Sequence, residues 1–213
     1  MLISLTFDDG FKQHYKVALK LYRMDIPATF FIITGLKKYN GKHLLINEPK
    51  LLKEIHNLNH EIASHTHTHR DLTKLDEAKI MYECQYSKSI LENVINDEVK
   101  GFAYPYSIIN DNVVRTVKKF YKYARCMGKV NRWNNNLHPY KIGSIGIRHL
   151  PKLFLKITTL KKPKLVVITF HEESTNIVTS IARLLKELGF ELKTLYEALT
   201  KLNALNPYEE TYS

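Results

Sequence analysis

Thr6-Phe7-Asp8-Asp9-Gly10 closes an apolar run that begins at Leu2, and its reading decides the fold. Leu2-Ile3-Ser4-Leu5-Thr6-Phe7 has the composition of a buried strand. Two carboxylates stand where that strand stops and the chain turns at Gly10. Consecutive side chains leave a strand in opposite directions, and a turn skews them further. Asp8 and Asp9 can therefore share one site and divide its work, one holding a cation and the other handling a proton. Asp-Gly is also an ordinary turn dipeptide, so the rest of the chain must decide between a turn and a site.

Downstream, strand-like and helix-like stretches alternate. Strands are expected at 28–33, 61–63, 101–104, 121–126, 144–148 and 165–170. Helices are expected at 11–23, 49–58, 76–94, 111–120, 151–160, 177–188 and 194–202, the first burying Tyr15, Ala18, Leu19 and Tyr22. Such alternation means a parallel sheet with helices outside, and seven strands suffice to close a barrel. Chemistry in these folds gathers at the carboxyl ends of the strands. Asp8-Asp9, the cluster His65-Thr66-His67-Thr68-His69, Tyr104 to Tyr106 and His171 all fall there. His65 and His69 have the spacing that puts two imidazoles on one face of a helical turn, whereas His67 points elsewhere. Two histidines and one aspartate make a three-ligand set that leaves room for water or substrate.

The 213 residues suit one domain spanning 1–213, and 44% hydrophobic content can fill its core. No apolar run reaches membrane-spanning length. Met1 leads straight into the first strand without a signal sequence, so a cytoplasmic location is expected. Cys84 and Cys126 lack a metal-binding spacing and read as two packed thiols. The net charge of +11 raises nucleic acid, an acidic membrane surface or an acidic substrate as partners. The lysines are spread along the chain without a recognition motif, so a solvated basic surface and no specific nucleic-acid binding are expected. Oligomeric state has no signature.

In this order, these residues resemble the polysaccharide deacetylase family, carbohydrate esterase family four. Thr6 to Gly10 matches the family's first motif, and His65 to His69, with the run-up His60-Glu61-Ile62, its second. Phe102-Ala103-Tyr104-Pro105-Tyr106 resembles the third, and Ile168-Thr169-Phe170-His171 the fifth. The resemblance implies a distorted seven-stranded β/α barrel, with Asp8 as general base and His171 as general acid. It makes Asp9, His65 and His69 the ligands of one divalent ion, with zinc expected and cobalt, nickel or iron also suited. The backbone N–H of Tyr106 would face the oxyanion. The implied substrate is an N-acetylated amino sugar in a glycan or glycan precursor.

Two departures carry consequences. The arginine that often opens the third motif and orients the base is missing; Arg148, at a strand end, is the expected substitute, with Lys141 or Arg132 as alternatives. Thr169 replaces an apolar residue, which is expected to reshape the acetyl pocket. Trp133 is a candidate to line the site. The rival readings are a C–N hydrolase acting on an N-formyl sugar or cyclic ureide, an inactive glycan-binding relative, and an electrostatic nucleic-acid binder.

Overall fold

The computed structural model describes residues 1–128, 134, 137–157 and 163–205. In chain order its elements are β1 (Leu2–Phe7), α1 (His14–Arg23), β2 (Thr29–Ile32), the hairpin strands β3 (Lys38–Tyr39) and β4 (Lys42–His43), α2 (Pro49–Asn57), β5 (Glu61–Ser64), α3 (Glu77–Ile95), β6 (Gly101–Ala103), α4 (Asp111–Val117), β7 (Tyr123–Met127), β8 (Ile142–Gly146), α5 (Leu150–Ile157), β9 (Leu165–Phe170), α6 (Thr175–Glu187), β10 (Glu191–Leu192) and α7 (Leu195–Lys201). Strands β1, β2, β5, β6, β7, β8 and β9 pair in parallel in that order. β9 then returns to β1 along the whole strand, from Leu2 opposite Leu165 to Phe7 opposite Phe170, and closes the expected seven-stranded barrel. β10 adds a short parallel partner to β1.

Every residue of β1 and β9 is buried, because each of these strands is covered on both faces. Alternate residues serve two different cores. Ile3, Leu5, Phe7, Phe102 and Ile168 face the helical shell with Val17, Leu52, Ile80 and Val178. Leu2, Phe31, Ala63, Ala103, Tyr123 and Val167 fill the barrel, together with Leu195, Ala198 and Leu199 of α7. This period of two has a direct functional consequence. Asp8, His65, Arg125 and His171 share parity with the inward residues of their own strands.

Two local expectations are corrected. α1 buries His14, Val17, Ala18 and Leu21, while Tyr22 is 49% exposed. The apolar face is shifted because His14 counts as a core residue: its Nε2–H donates to the His171 carbonyl 2.6 Å away, and a neutral, hydrogen-bonded imidazole packs like an aromatic ring. The sixth barrel strand is Ile142–Gly146, and Arg148 falls beyond it in a short 3-10 turn. The β3–β4 hairpin and β10 had no sequence signal strong enough to predict them.

Gly10 is the residue that lets β1 deliver its carboxylates. Its φ is +70°, and a Cβ there would stand 2.9 Å from Ile32 Cδ1. Gly10→Ala combines left-handed backbone strain with a contact against a buried strand. It is expected to lower unfolding free energy by at least about 1 kcal/mol, read as a lower urea midpoint at unchanged slope.

Candidate active site

The carboxyl ends of the barrel strands open into a cleft of about 290 Å³ lined by Asp8, Asp9, Tyr39, His65, His69, Tyr106 and His171 among others. Asp8, Asp9, His65, His69, Tyr106 and His171, the residues expected to ligate the ion or carry the chemistry, all line it, and Arg148 does not.

Asp9, His65 and His69 form a compact triangle. The two imidazole Nε2 atoms are 3.2 Å apart, and each lies 3.6 Å from Asp9 Oδ1. These separations suit three corners of a tetrahedron: bonds of about 2.0–2.1 Å to a central ion imply edges of roughly 3.4 Å. His65 donates its Nδ1–H to the Ala103 carbonyl at 2.8 Å, which leaves the Nε2 lone pair facing the triangle. Burial pushes His65 down to about 4 and His69 down to about 3, so both rings are neutral, the form that ligates metal. Burial first, then the neighbouring Asp8, pushes Asp9 up to about 7. A site that so resists carrying negative charge alone is one that a cation completes. Among the described residues, this is the cluster of histidine and carboxylate groups fit to hold a metal ion.

Asp8 has a different environment. Its carboxylate is gripped by Arg125, whose Nη2 lies 2.6 Å from both Oδ1 and Oδ2. Burial alone raises the Asp8 carboxyl, but the Arg125 guanidinium, with His65 and His171, outweighs it and holds the group below its ordinary value. Arg125 is itself buried inside the barrel. Its Nη1 donates to Ser144 Oγ at 3.0 Å and to Thr169 Oγ1 at 3.4 Å, and its guanidinium lies 4.9 Å from the Phe31 ring centroid. Thr169 in turn bonds Ser144 and Thr6.

The expectation that Arg148 substitutes for the missing arginine is therefore corrected. Arg148 is exposed, and the guanidinium on Asp8 comes from Arg125. Arg125 stands opposite Ala103 in the β6–β7 register. The arginine lies one strand over from the third motif, and the Ala103 side chain opposite it is small. Thr169 has a corresponding explanation. It is 1% exposed and cradles the arginine, so it does not line the cleft. Lys141 is half-buried beside β8, and Arg132 and Trp133 lie outside the described residues.

His171 reaches the cleft from β9 with its Nε2 3.6 Å from Asp8 Oδ2, and its side chain is 38% exposed. Two contacts fix its peptide: the His14 bond to its carbonyl, and its N–H donated to Glu173 at 2.6 Å. Tyr106 and Ser107 both adopt left-handed conformations, φ 56° and 57°. Ser107 Oγ holds the strain in place by accepting from the Met127 N–H at 2.6 Å. The Tyr106 N–H donates to no group among the described residues, and the Tyr106 and Tyr39 rings both pack edge-on against His69. His67 bonds Thr34 and sits between α3 and β2, away from the triangle, as its spacing implied.

Residues 1–124 match the family model for polysaccharide deacetylases. The chain belongs to the polysaccharide deacetylase family, carbohydrate esterase family four. It is 33% identical over 130 residues to the poly-beta-1,6-N-acetyl-D-glucosamine N-deacetylase of Staphylococcus aureus, a match covering 55% of this chain and 44% of that protein. The fold is shared with the carbohydrate esterase domain of a multidomain xylanase from the hindgut metagenome of Trinervitermes trinervoides, at TM-score 0.69 and 22% identity, over 97% of this chain and 94% of that one. It is shared also with an acetyl xylan esterase from Clostridium thermocellum solved with a cobalt ion, at TM-score 0.70 and 17% identity, over 99% and 97% of the two chains.

The contrast between the two arginines gives a stability test. Arg125→Met leaves Asp8 buried without its counter-charge and is expected to cost about 3–5 kcal/mol. Arg148→Ala, at an exposed site, should stay within about 0.5 kcal/mol of wild type. Denaturant titration of both variants checks this, and Asp8→Asn added to Arg125→Met should recover part of the loss.

Proposed function

We propose that this chain is a metal-dependent hydrolase that removes the N-acetyl group from N-acetylglucosamine-type sugars in a glycan or glycan precursor. The observation that carries this reading is the pairing of two unlike aspartates. Asp9 completes a triangle of metal-ligating atoms, while Asp8, next in sequence, is held ionised by Arg125 and faces His171.

A divalent ion held by Asp9, His65 and His69 supplies Lewis-acid polarisation and acidifies water, which an unreactive amide requires. The chain's own residues do the rest. Asp8 takes the proton of the attacking water, and Arg125 fixes the direction of its lone pairs. The Tyr106 N–H, pointed by its left-handed backbone, donates to the oxygen on which negative charge develops. His171 gives a proton to the departing amine nitrogen. The family match and the Staphylococcus aureus relative support an N-acetylated amino sugar as the substrate class. Among the described residues no helix is long and apolar enough to cross a membrane.

The direct test is acetate release from N-acetylglucosamine oligosaccharides set against acetylated xylo-oligosaccharides. The proposal expects the amide substrate to be preferred, and exclusive action on the ester would overturn the substrate assignment. Chelation should abolish release, with zinc or cobalt restoring it. His171→Ala should keep its metal and lose roughly 100- to 10,000-fold in turnover, the range for a general acid. If it sheds metal as Asp9→Asn does, His171 is a ligand and the acid lies elsewhere.

A further inference from the structure

The loop that carries His65 and His69 has its backbone hydrogen bonds accounted for without any ion. Thr66 N–H donates to Ser64 Oγ at 3.2 Å, and His69 N–H to Thr66 Oγ1 at 2.9 Å. The two amides between them, His67 and Thr68, both donate to one oxygen, Glu83 Oε2, at 2.8 Å each. The other Glu83 oxygen accepts the Thr68 hydroxyl. On the opposite side the Thr66 and His67 carbonyls accept from Thr34 and Gly35. Glu83 comes from α3 and is 4% exposed.

The loop is not a relaxed one. Thr66 and His69 both have positive φ, 67° and 56°, and for the β-branched Thr66 this is a genuine outlier. A buried carboxylate is an unusual acceptor for backbone amides unless something must be held in an unfavourable shape. Neither Asp8 nor any ligand atom is bonded to Glu83; its contacts go to the segment between the two ligands.

We propose that Glu83 is a positioning residue that pre-forms the metal triad, clamping the 66–68 backbone so that the His65 and His69 nitrogens converge before the ion arrives. The inference rests on the reading that Asp9, His65 and His69 hold a metal. On this account the protein pays the ordering cost of the loop during folding, and the ion meets a finished site. What Glu83 supplies is hydrogen-bond geometry. A glutamine keeps it, since its Oε1 can accept both amides while its amide nitrogen donates to the Thr68 hydroxyl oxygen. A leucine of similar size leaves two half-buried N–H groups without an acceptor.

Zinc affinity measured on metal-stripped protein by competition with a chromophoric chelator tests this, alongside the absorption spectrum of cobalt-loaded protein. Glu83→Leu is expected to bind zinc about 10- to 100-fold more weakly, with an altered cobalt spectrum, while Glu83→Gln stays within about threefold of wild type. Equal affinity in wild type and Glu83→Leu would overturn the proposal, as would a glutamine variant as weak as the leucine one. Wild-type protein that takes up no zinc would instead refute the metal reading itself. Hydrogen exchange on metal-free wild type covers the case in which Glu83→Leu does not fold. The His67 and Thr68 amides should be protected there nearly as well as in loaded protein, and rapid exchange that only zinc suppresses would show that the loop is not pre-formed.

Discussion

The site depends on one buried ion pair. Arg125 and Asp8 meet inside the barrel, where neither charge has water to stabilise it. Such a pair adds little net stability, because desolvating both groups consumes most of what their attraction returns. Its value is placement. A carboxylate on a turning strand end has two free torsions, and the Arg125 nitrogen that contacts both oxygens leaves it one orientation. The same contact separates the two aspartates chemically. Asp8, beside a guanidinium, stays charged, whereas Asp9, buried beside Asp8, is driven toward its neutral form.

The barrel makes that pair affordable. Polar Thr6, Ser144 and Thr169 take three inward positions: Ser144 and Thr169 accept from the guanidinium, and Thr6 bonds Thr169. The helical shell outside is mainly apolar, built largely from Ile, Leu, Val, Phe and Tyr, with a few buried polar groups among them. Two further supports reach the cleft from that shell. His14 of α1 bonds the His171 carbonyl, and Glu83 of α3 bonds the loop between His65 and His69. In each case a buried side chain directs its polar atoms to backbone at the site. Rigid elements thus set the geometry, and the strained positions at Asp9, Thr66, His69, Tyr106 and Ser107 cluster where they are held.

Most of the fold was legible because apolar strands with period-two parity and amphipathic helices are local patterns. The parallel barrel and the cluster of Asp8, Asp9, His65, His69 and His171 at one end follow from them. Arg125 was missed although it carried a signal: a charged residue in the middle of the buried strand Tyr123–Met127, on the same parity as the inward Tyr123. Arg148 was preferred because it seemed to end a strand, and that strand in fact ends at Gly146. His14 and Glu83 gave no usable sign, since one resembles a helix-surface histidine and the other an ordinary helix glutamate. Their roles arise from contacts across 157 residues in one case and 15–16 in the other, which no local pattern encodes.

The central claim is that Arg125 performs the orienting task that the third motif leaves vacant, and turnover tests it most directly. The measurement is the catalytic constant of zinc-loaded Arg125→Lys on N-acetylglucosamine oligosaccharides, with metal content determined on the same samples and Arg148→Ala as the comparison. Lysine keeps the charge and loses the planar contact with both carboxylate oxygens. The account predicts a fall of about 100-fold or more at unchanged metal content, the scale of a misplaced catalytic group, with Arg148→Ala close to wild type. Wild-type turnover in Arg125→Lys, or a larger loss in Arg148→Ala, would contradict it.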